Sequence, residues 1–292
     1  MSKVFLPSIC AVFFVVGWGT SQTPSVQIGT WNLGFFTDLN PATGQWCEEH
    51  NSRTPKVIEE MAQFIDSLDL EVLALEEVED AEALDLLLSF MPPGKYAYIV
   101  SPQTAPETCQ RVAVLYQKEE VAMRYVGEIP LSLGQSGLRD GLVVYGKFLP
   151  DGFDFTLVVV HLKAYSDPRS TSIREEELSL LGQWVQTYLD DPTNDRDLIL
   201  AGDFNEHLLT NKKAFSLLDP KGLLYLVTKD APQKRCQNWT DPIDHILISQ
   251  VQEYAKSAVF YDFFKDPTLP DRYSYSDHCI LWADFYNEDL DP

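Results

Sequence analysis

Positive charge is what this sequence has least of. Its 292 residues carry 22 lysines and arginines against 44 aspartates and glutamates, a formal net charge of −22. That deficit excludes a protein that grips nucleic acid by neutralising many phosphates, because such affinity comes from clustered Lys and Arg side chains. It leaves room for an enzyme that meets a few phosphate oxygens through a bound cation, and a salty medium would screen the self-repulsion. Internal repeats, low-complexity tracts and a Pro/Gly/Ser linker are lacking too, so no seam divides the chain. With 45% hydrophobic and 12% aromatic residues it can fill one large core.

Also lacking is an uninterrupted apolar stretch of the roughly 20 residues that a spanning helix needs. The nearest, Val4–Val16, is broken by Pro7, preceded by Lys3 and followed by the small residues Gly19–Ser21. That pattern predicts a secretory signal peptide over residues 1–21, cleaved near Ser21, and a secreted or periplasmic catalytic domain over 22–292. Cysteine is sparse: five in all, four once Cys10 leaves with the leader, while loss of Lys3 takes the net charge to −23. An even count in an exported chain fits disulfides, and four cysteines allow three pairings. Cys47 and Cys109, both in polar, turn-rich stretches, are the preferred pair; Cys279, opening the apolar run to Trp282, reads as a buried free thiol.

What is abundant is short apolar runs with turn-rich flanks. Val26–Leu33, Val72–Leu75, Tyr96–Val100, Val112–Tyr116, Leu142–Phe148, Phe155–Leu162, Leu198–Ala201, Ile243–Ile248 and Cys279–Phe285 read as strands. Thr54-Pro55 predicts a helix start, with Val57, Ile58, Met61, Ile65 and Leu68 as its apolar stripe. Ser172 with Glu175 reads as a capping box for a helix running towards Asp190. Many strands and a few helices predict an α/β fold, a four-layer α/β sandwich of two packed, mostly antiparallel sheets flanked by helices.

Polar, acidic and imidazole groups stand at the ends of several of these strands: Asn32, Glu77, His161, Asp203, Asn205, Asp244, Asp277 and His278. A sheet can aim such residues into one cleft. Alone, each is more often a cap, a solvated acid or a satisfied histidine. Together, an early Trp31-Asn32 followed by Glu77, a strand histidine at 161, Gly202-Asp203-Phe204-Asn205 and a terminal Ser276-Asp277-His278 resemble the endonuclease/exonuclease/phosphatase superfamily, deoxyribonuclease I above all. The resemblance spans about residues 26–285.

It implies metal-dependent hydrolysis of phosphoric esters. Glu77 would be the principal ligand of Mg²⁺ or Mn²⁺, assisted by Asn32 and Asp277, with Ca²⁺ as an accessory ion. His278, held by Asp244, would activate or orient water; Asp203 would position the nucleophile, Asn205 would donate to a phosphoryl oxygen, and His161 would act across the phosphate. Arg111 and Arg139 match substrate-contacting arginines. The substrate class implied first is nucleic acid, DNA and then RNA. The alternative is a phosphatase or a sphingomyelinase-type hydrolase of small or lipid phosphoesters, for which Phe260–Phe264 is the candidate membrane-inserting segment against its plainer reading as a strand packed in the core. A binding module with a dead centre is disfavoured because each matched position keeps a competent residue. No stable protein partner is implied, so a monomer is expected.

Three positions depart from the pattern. Glu76 replaces a glutamine before the metal-binding glutamate, and would either add charge at the metal or turn away from the cleft. Gln110 replaces an acid that pairs with the strand histidine, and Glu79 replaces a DNA-contacting arginine.

Overall fold

The computed structural model describes residues 25–39, 53–102, 110–232, 236 and 241–290; the leader, Cys47 and Cys109 lie outside them. Two six-stranded sheets pack face to face, ordered β11-β12-β1-β2-β4-β3 and β5-β6-β7-β8-β10-β9. The first holds β1 (Ser25–Phe36), β2 (Val72–Val78), β3 (Tyr96–Val100), β4 (Arg111–Gln117), β11 (Tyr254–Tyr261) and β12 (Ile280–Tyr286). The second holds β5 (Val121–Ile129), β6 (Gly141–Phe148), β7 (Asp154–His161), β8 (Leu198–Asp203), β9 (Tyr225–Leu226) and β10 (Asp244–Ile248). Helices α1 (Pro55–Leu68) and α2 (Ala81–Ser89) follow β1 and β2; α3 (Pro168–Asp190) and α4 (Lys212–Leu218) follow β7 and β8. One apolar core fills the space between the sheets and under α1 and α2, and a second lies between the other sheet and α3 and α4. The four-layer sandwich expected from the sequence is what forms. Among the described residues, no helix is long and apolar enough to cross a membrane.

Each sheet contains one parallel pair, β1 with β2 and β7 with β8, joined through α1 and α3. A parallel pair needs such a crossover, which leaves both strands pointing the same way. Their carboxyl ends carry Asn32, Glu77, His161 and Asp203. Antiparallel neighbours then bring their first residues to the same end. Asp244, opening β10, stands opposite Asp203, and residues 277 and 278 enter β12 beside the exit of β1.

Each of the nine apolar runs marks a strand, with Leu162, Ile243 and Cys279 falling just outside theirs; β5, β9 and β11 are additional. β5 is an edge strand whose residues 122–128 are all at least partly exposed, so no apolar run marks it. Thr54 caps α1 as expected, its hydroxyl accepting from the Val57 amide at 3.3 Å. The helix assigned to Ser172 starts earlier. Asp167 caps it, accepting from the amides of Arg169 and Ser170, and Pro168 takes the first helical position, where a missing N–H costs nothing.

Candidate active site

The first sheet supplies an amide and a carboxylate. Asn32 is fully buried at the exit of β1; its Nδ2 donates to Asp203 Oδ2 at 3.0 Å and to Glu77 Oε1 at 3.3 Å, while its Oδ1 accepts from the Gly34 amide at 2.9 Å. Glu77 Oε2 accepts from the Phe35 amide at 2.9 Å. The Glu77 backbone is left-handed, φ 58°, a strained state for a side chain of this kind and one that gathers at functional sites. Glu76 is oriented differently from Glu77 but stays within electrostatic reach of Asp244, Asp203 and His278. It is buried between the sheets, accepts from Thr30 Oγ1 at 2.8 Å, and burial pushes its carboxyl well above the usual carboxylate range.

Arg53 is a residue that motif reading passed over. Its Nη1 donates to the carbonyls of Gly34 and Phe35 at 2.7 and 3.1 Å, and its Nη2 to those of Leu33 and Tyr275, the latter at 2.6 Å. It therefore ties the exit of β1 to the segment entering β12. Burial lowers the guanidinium to about 10, against the pull of Glu77 and Asp277. Nothing in its spacing distinguishes it from any arginine preceding a helix.

The second sheet contributes Asp203 and His161. Asp203 Oδ1 accepts from the Asn205 amide at 2.8 Å, and Oδ2 faces His161 Nε2 at 3.7 Å and His278 Nε2 at 3.8 Å. Burial pushes its carboxyl up to about 7, with His278 opposing and Asp244 adding to the rise. Gly202 makes this approach feasible: its φ is 141°, and an added Cβ would stand 2.0 Å from the Val160 carbonyl oxygen. Asn205, also left-handed at φ 50°, donates through Nδ2 to the Leu162 carbonyl at 3.0 Å, leaving its second amide hydrogen for a ligand. His161 is held neutral, chiefly by burial and then by Arg139, with Nε2 3.6 Å from Glu77 Oε1 and Nδ1 without a hydrogen-bond partner. Gln110 does not reach it. The Gln110 amide oxygen accepts from Arg139 Nη1 at 3.1 Å instead.

His278 completes the group. Its Nδ1 lies 3.0 Å from both oxygens of Asp244. Burial alone would lower this imidazole, but Asp244 and Asp203 outweigh it and hold the ring protonated well above its ordinary range. Three links fix its backbone. Trp31 Nε1 donates to the His278 carbonyl at 3.0 Å, the His278 amide donates to Ser276 Oγ at 2.9 Å, and that hydroxyl donates to the Asn32 carbonyl at 2.6 Å. The next residue, Cys279, is bonded to Cys236. It is thus not the free thiol expected. Its partner lies 43 residues away, outside any local pattern.

Of the two arginines expected to meet substrate, Arg139 is spent within the protein. Arg139 is 4% exposed and gives four of its five N–H groups to the carbonyls of Gly137, His161 and Leu162 and to Gln110. Arg111 donates to the carbonyls of Glu79 and Ser101, both at 3.1 Å. Glu79, only 6% exposed, accepts from the Asp38 amide at 3.1 Å. A charged residue next to a turn can point outward for a ligand or inward for carbonyls, and sequence alone does not distinguish them.

The mouth of the site offers oxygen donors, which suit a hard divalent cation. Glu77 and the exposed carboxylate of Asp277, both within electrostatic reach of Arg53, are the groups that would hold such an ion. Asn32 presents its nitrogen to Glu77 and Asp203, so in this arrangement it spaces two carboxylates rather than offering them an oxygen. Asp203, Asp244 and His278 also lie within ion-binding distance of one another. There Asp244 already engages His278 Nδ1, which leaves Nε2 facing Asp203 at 3.8 Å.

Behind His161, Glu177 is fully buried, and burial pushes its carboxyl up to about 7 although Lys163 N donates to it at 2.8 Å and Arg139 and Arg174 are near. A raised carboxyl means that the native state holds more protons than the unfolded one between about pH 4.5 and 7, so stability falls as pH rises through that window. The expected loss is up to about 3 kcal/mol. Glu177→Gln keeps the acceptor and removes the titration. It should match wild type near pH 5 and exceed it in denaturant titrations at pH 8; parallel pH profiles for the two proteins would refute this.

Comparison with known proteins agrees with the geometry. The profile of the Endonuclease/Exonuclease/phosphatase family matches residues 29–278. The chain is 23% identical over 300 residues to the human "Endonuclease/exonuclease/phosphatase family domain-containing protein 1", covering 91% of this chain and 50% of that protein. The Bos taurus counterpart is 24% identical with the same coverage. The chain thus spans about half the length of the curated relatives it matches. Among solved structures, the human Nocturnin catalytic domain with bound sulfate superposes at a TM-score of 0.64, 19% identity, over 90% of this chain and 93% of that one. A Bacteroides thetaiotaomicron mannosyl-6-phosphatase gives 0.60 at 15% identity, over 89% and 99% of the two chains. At such identities these likenesses concern the fold, while the profile match covers most of the chain and takes in all eight strand-end residues. The chain belongs to the endonuclease/exonuclease/phosphatase family.

Proposed function

We propose that this chain, a metal-dependent phosphoric ester hydrolase by family, is an exported nuclease that cleaves the phosphodiester bonds of DNA and also accepts RNA. What carries the reading is the setting of Asp203. A carboxyl that titrates near 7, bracketed by a neutral His161 and a charged His278, can take the proton of an attacking water while the imidazolium donates to the phosphoryl oxygens. Asp244 keeps that imidazolium charged and oriented. A divalent cation held by Glu77 and Asp277 would neutralise the non-bridging oxygens when bound.

The polymer substrate is favoured by two exposed tyrosines. Tyr165 is 75% exposed, four residues past His161, with Lys163 Nζ 4.9 Å from its ring centre. Tyr273 is 72% exposed, four residues before Asp277, with the Arg272 guanidinium 5.0 Å from its ring centre. An aromatic face beside a cation suits a stacked base and its phosphate. By contrast, Phe260, Phe263 and Phe264 are buried in the core, which removes the segment considered for membrane insertion.

The deciding experiment is hydrolysis of plasmid DNA, single-stranded DNA, RNA, sphingomyelin and inositol phosphates with Mg²⁺ or Mn²⁺. Nucleic acid should be turned over fastest. Tyr165→Ala should raise KM for single-stranded DNA about tenfold while leaving a small phosphodiester unaffected. Faster turnover of sphingomyelin or an inositol phosphate would replace this reading with the small-ester alternative.

A further inference from the structure

A second cluster of acids lies at the end of the sandwich away from the chemistry. Asp197 precedes β8, Glu253 precedes β11, and Asp289 follows β12; a carboxylate oxygen from each lies within 4.8 Å of the others. Asp197 and Asp203 stand at opposite ends of β8, roughly 20 Å of extended chain apart. Acids gathered at a surface are common and prove little. Glu253, however, is 2% exposed, and its Oε2 is sealed from solvent with no hydrogen-bond partner, although Oε1 accepts from the Leu290 amide at 3.1 Å. Glu253 and Asp197 also border a cavity of about 10 Å³ whose other walls are Gln250 and the apolar Phe153, Leu198, Ile199, Ile248 and Phe285, so an ion would sit on its carboxylate side, towards Asp289. A buried carboxylate oxygen without a donor is costly unless a cation or a proton meets it.

We infer that Asp197, Glu253 and Asp289 bind a calcium ion that fastens the two sheets together at this end. The ligands come from three separate segments, one in the second sheet and two in the first. Ca²⁺ accepts such irregular oxygen sets, whereas Mg²⁺ demands near-octahedral geometry and gives up its water reluctantly. Asp289 is exposed and offers the side of entry, while Glu253 and Asp197 form the floor. The strongly acidic chain gains from any cation that binds the native state alone.

The test is thermal unfolding of metal-stripped protein with added CaCl₂ against a background of saturating MgCl₂, on wild type and on Glu77→Ala, Glu253→Gln and Asp289→Asn. Calcium at a hundredfold excess over its Kd should raise Tm by about 5 °C in wild type and equally in Glu77→Ala, whose catalytic metal ligand is gone. The rise should be absent in Glu253→Gln and in Asp289→Asn. Asp289 is at the surface, so that variant folds even if Glu253→Gln does not, and its kcat should equal wild type at saturating Mg²⁺. A calcium shift that Asp289→Asn retains, one that Glu77→Ala loses, or no shift in wild type would each overturn the inference.

Discussion

Asp203→Asn, Glu77→Ala and His278→Ala should each lower kcat by at least about a hundredfold, the scale of losing a group that acts in the transition state, and EDTA should abolish turnover. The three losses have different origins. Asp203→Asn removes the buried carboxyl pushed up to about 7 and leaves its neighbours Asn32 and Asn205 in place. Glu77→Ala empties the left-handed position at the end of β2 and takes away the carboxylate that the Phe35 amide orients. His278→Ala strands Asp244, 4% exposed, without its charged partner, so His278→Gln is the companion variant where folding suffers. Effects within such a unit are not additive, and the double variant Asp203→Asn/His278→Gln should be little worse than the poorer single one. Near-wild-type turnover in any two of the single variants, measured on folded protein, would remove this cleft as the hydrolytic site.

Loss of the Cys236–Cys279 bond is the largest expected effect on stability. It closes a loop of 43 residues, for which chain entropy predicts roughly 4 kcal/mol. Cys236→Ser/Cys279→Ala should therefore unfold in denaturant with a stability lower by about that amount, compared with wild type under non-reducing conditions. Catalysis should suffer less. Trp31, Ser276 and Asp244 still hold His278 when the sulfur bridge is gone, so kcat of the folded variant should stay within about tenfold of wild type. A stability loss below about 1 kcal/mol would show that the bond does not constrain the chain.

The chemistry was more legible than its supports. Asn32, Glu77, His161, Asp203, Asp244 and His278 could be found because each ends or opens an apolar strand, and strand ends are visible as a change of composition. The layering followed from the same alternation of runs and amphipathic stretches. The edge strand β5 was hidden because its exposed side chains carry no apolar pattern. Helices α2 and α4 are short, nine and seven residues, and their caps, Asp80 and Asn211, resemble ordinary loop residues. Side-chain direction was the deeper gap. Arg111 and Arg139 sit where a phosphate-binding arginine would sit, yet both satisfy carbonyls; Arg53 has no motif at all and clamps four of them. How readily an acid gives up its proton is likewise a matter of surroundings, as Glu76 shows, its carboxyl pushed up by burial.

The groups of the cleft belong to no single layer: Asn32, Glu77 and His278 come from the sheet of β1, and His161, Asp203 and Asp244 from the sheet of β8. Neither half owns a complete set. Activity is therefore a coincidence detector for the meeting of the two sheets, and a slip of one across the other by a single residue, about 3.3 Å, would silence it while every strand kept its hydrogen bonds. Such a species would look native to circular dichroism and dead to an assay.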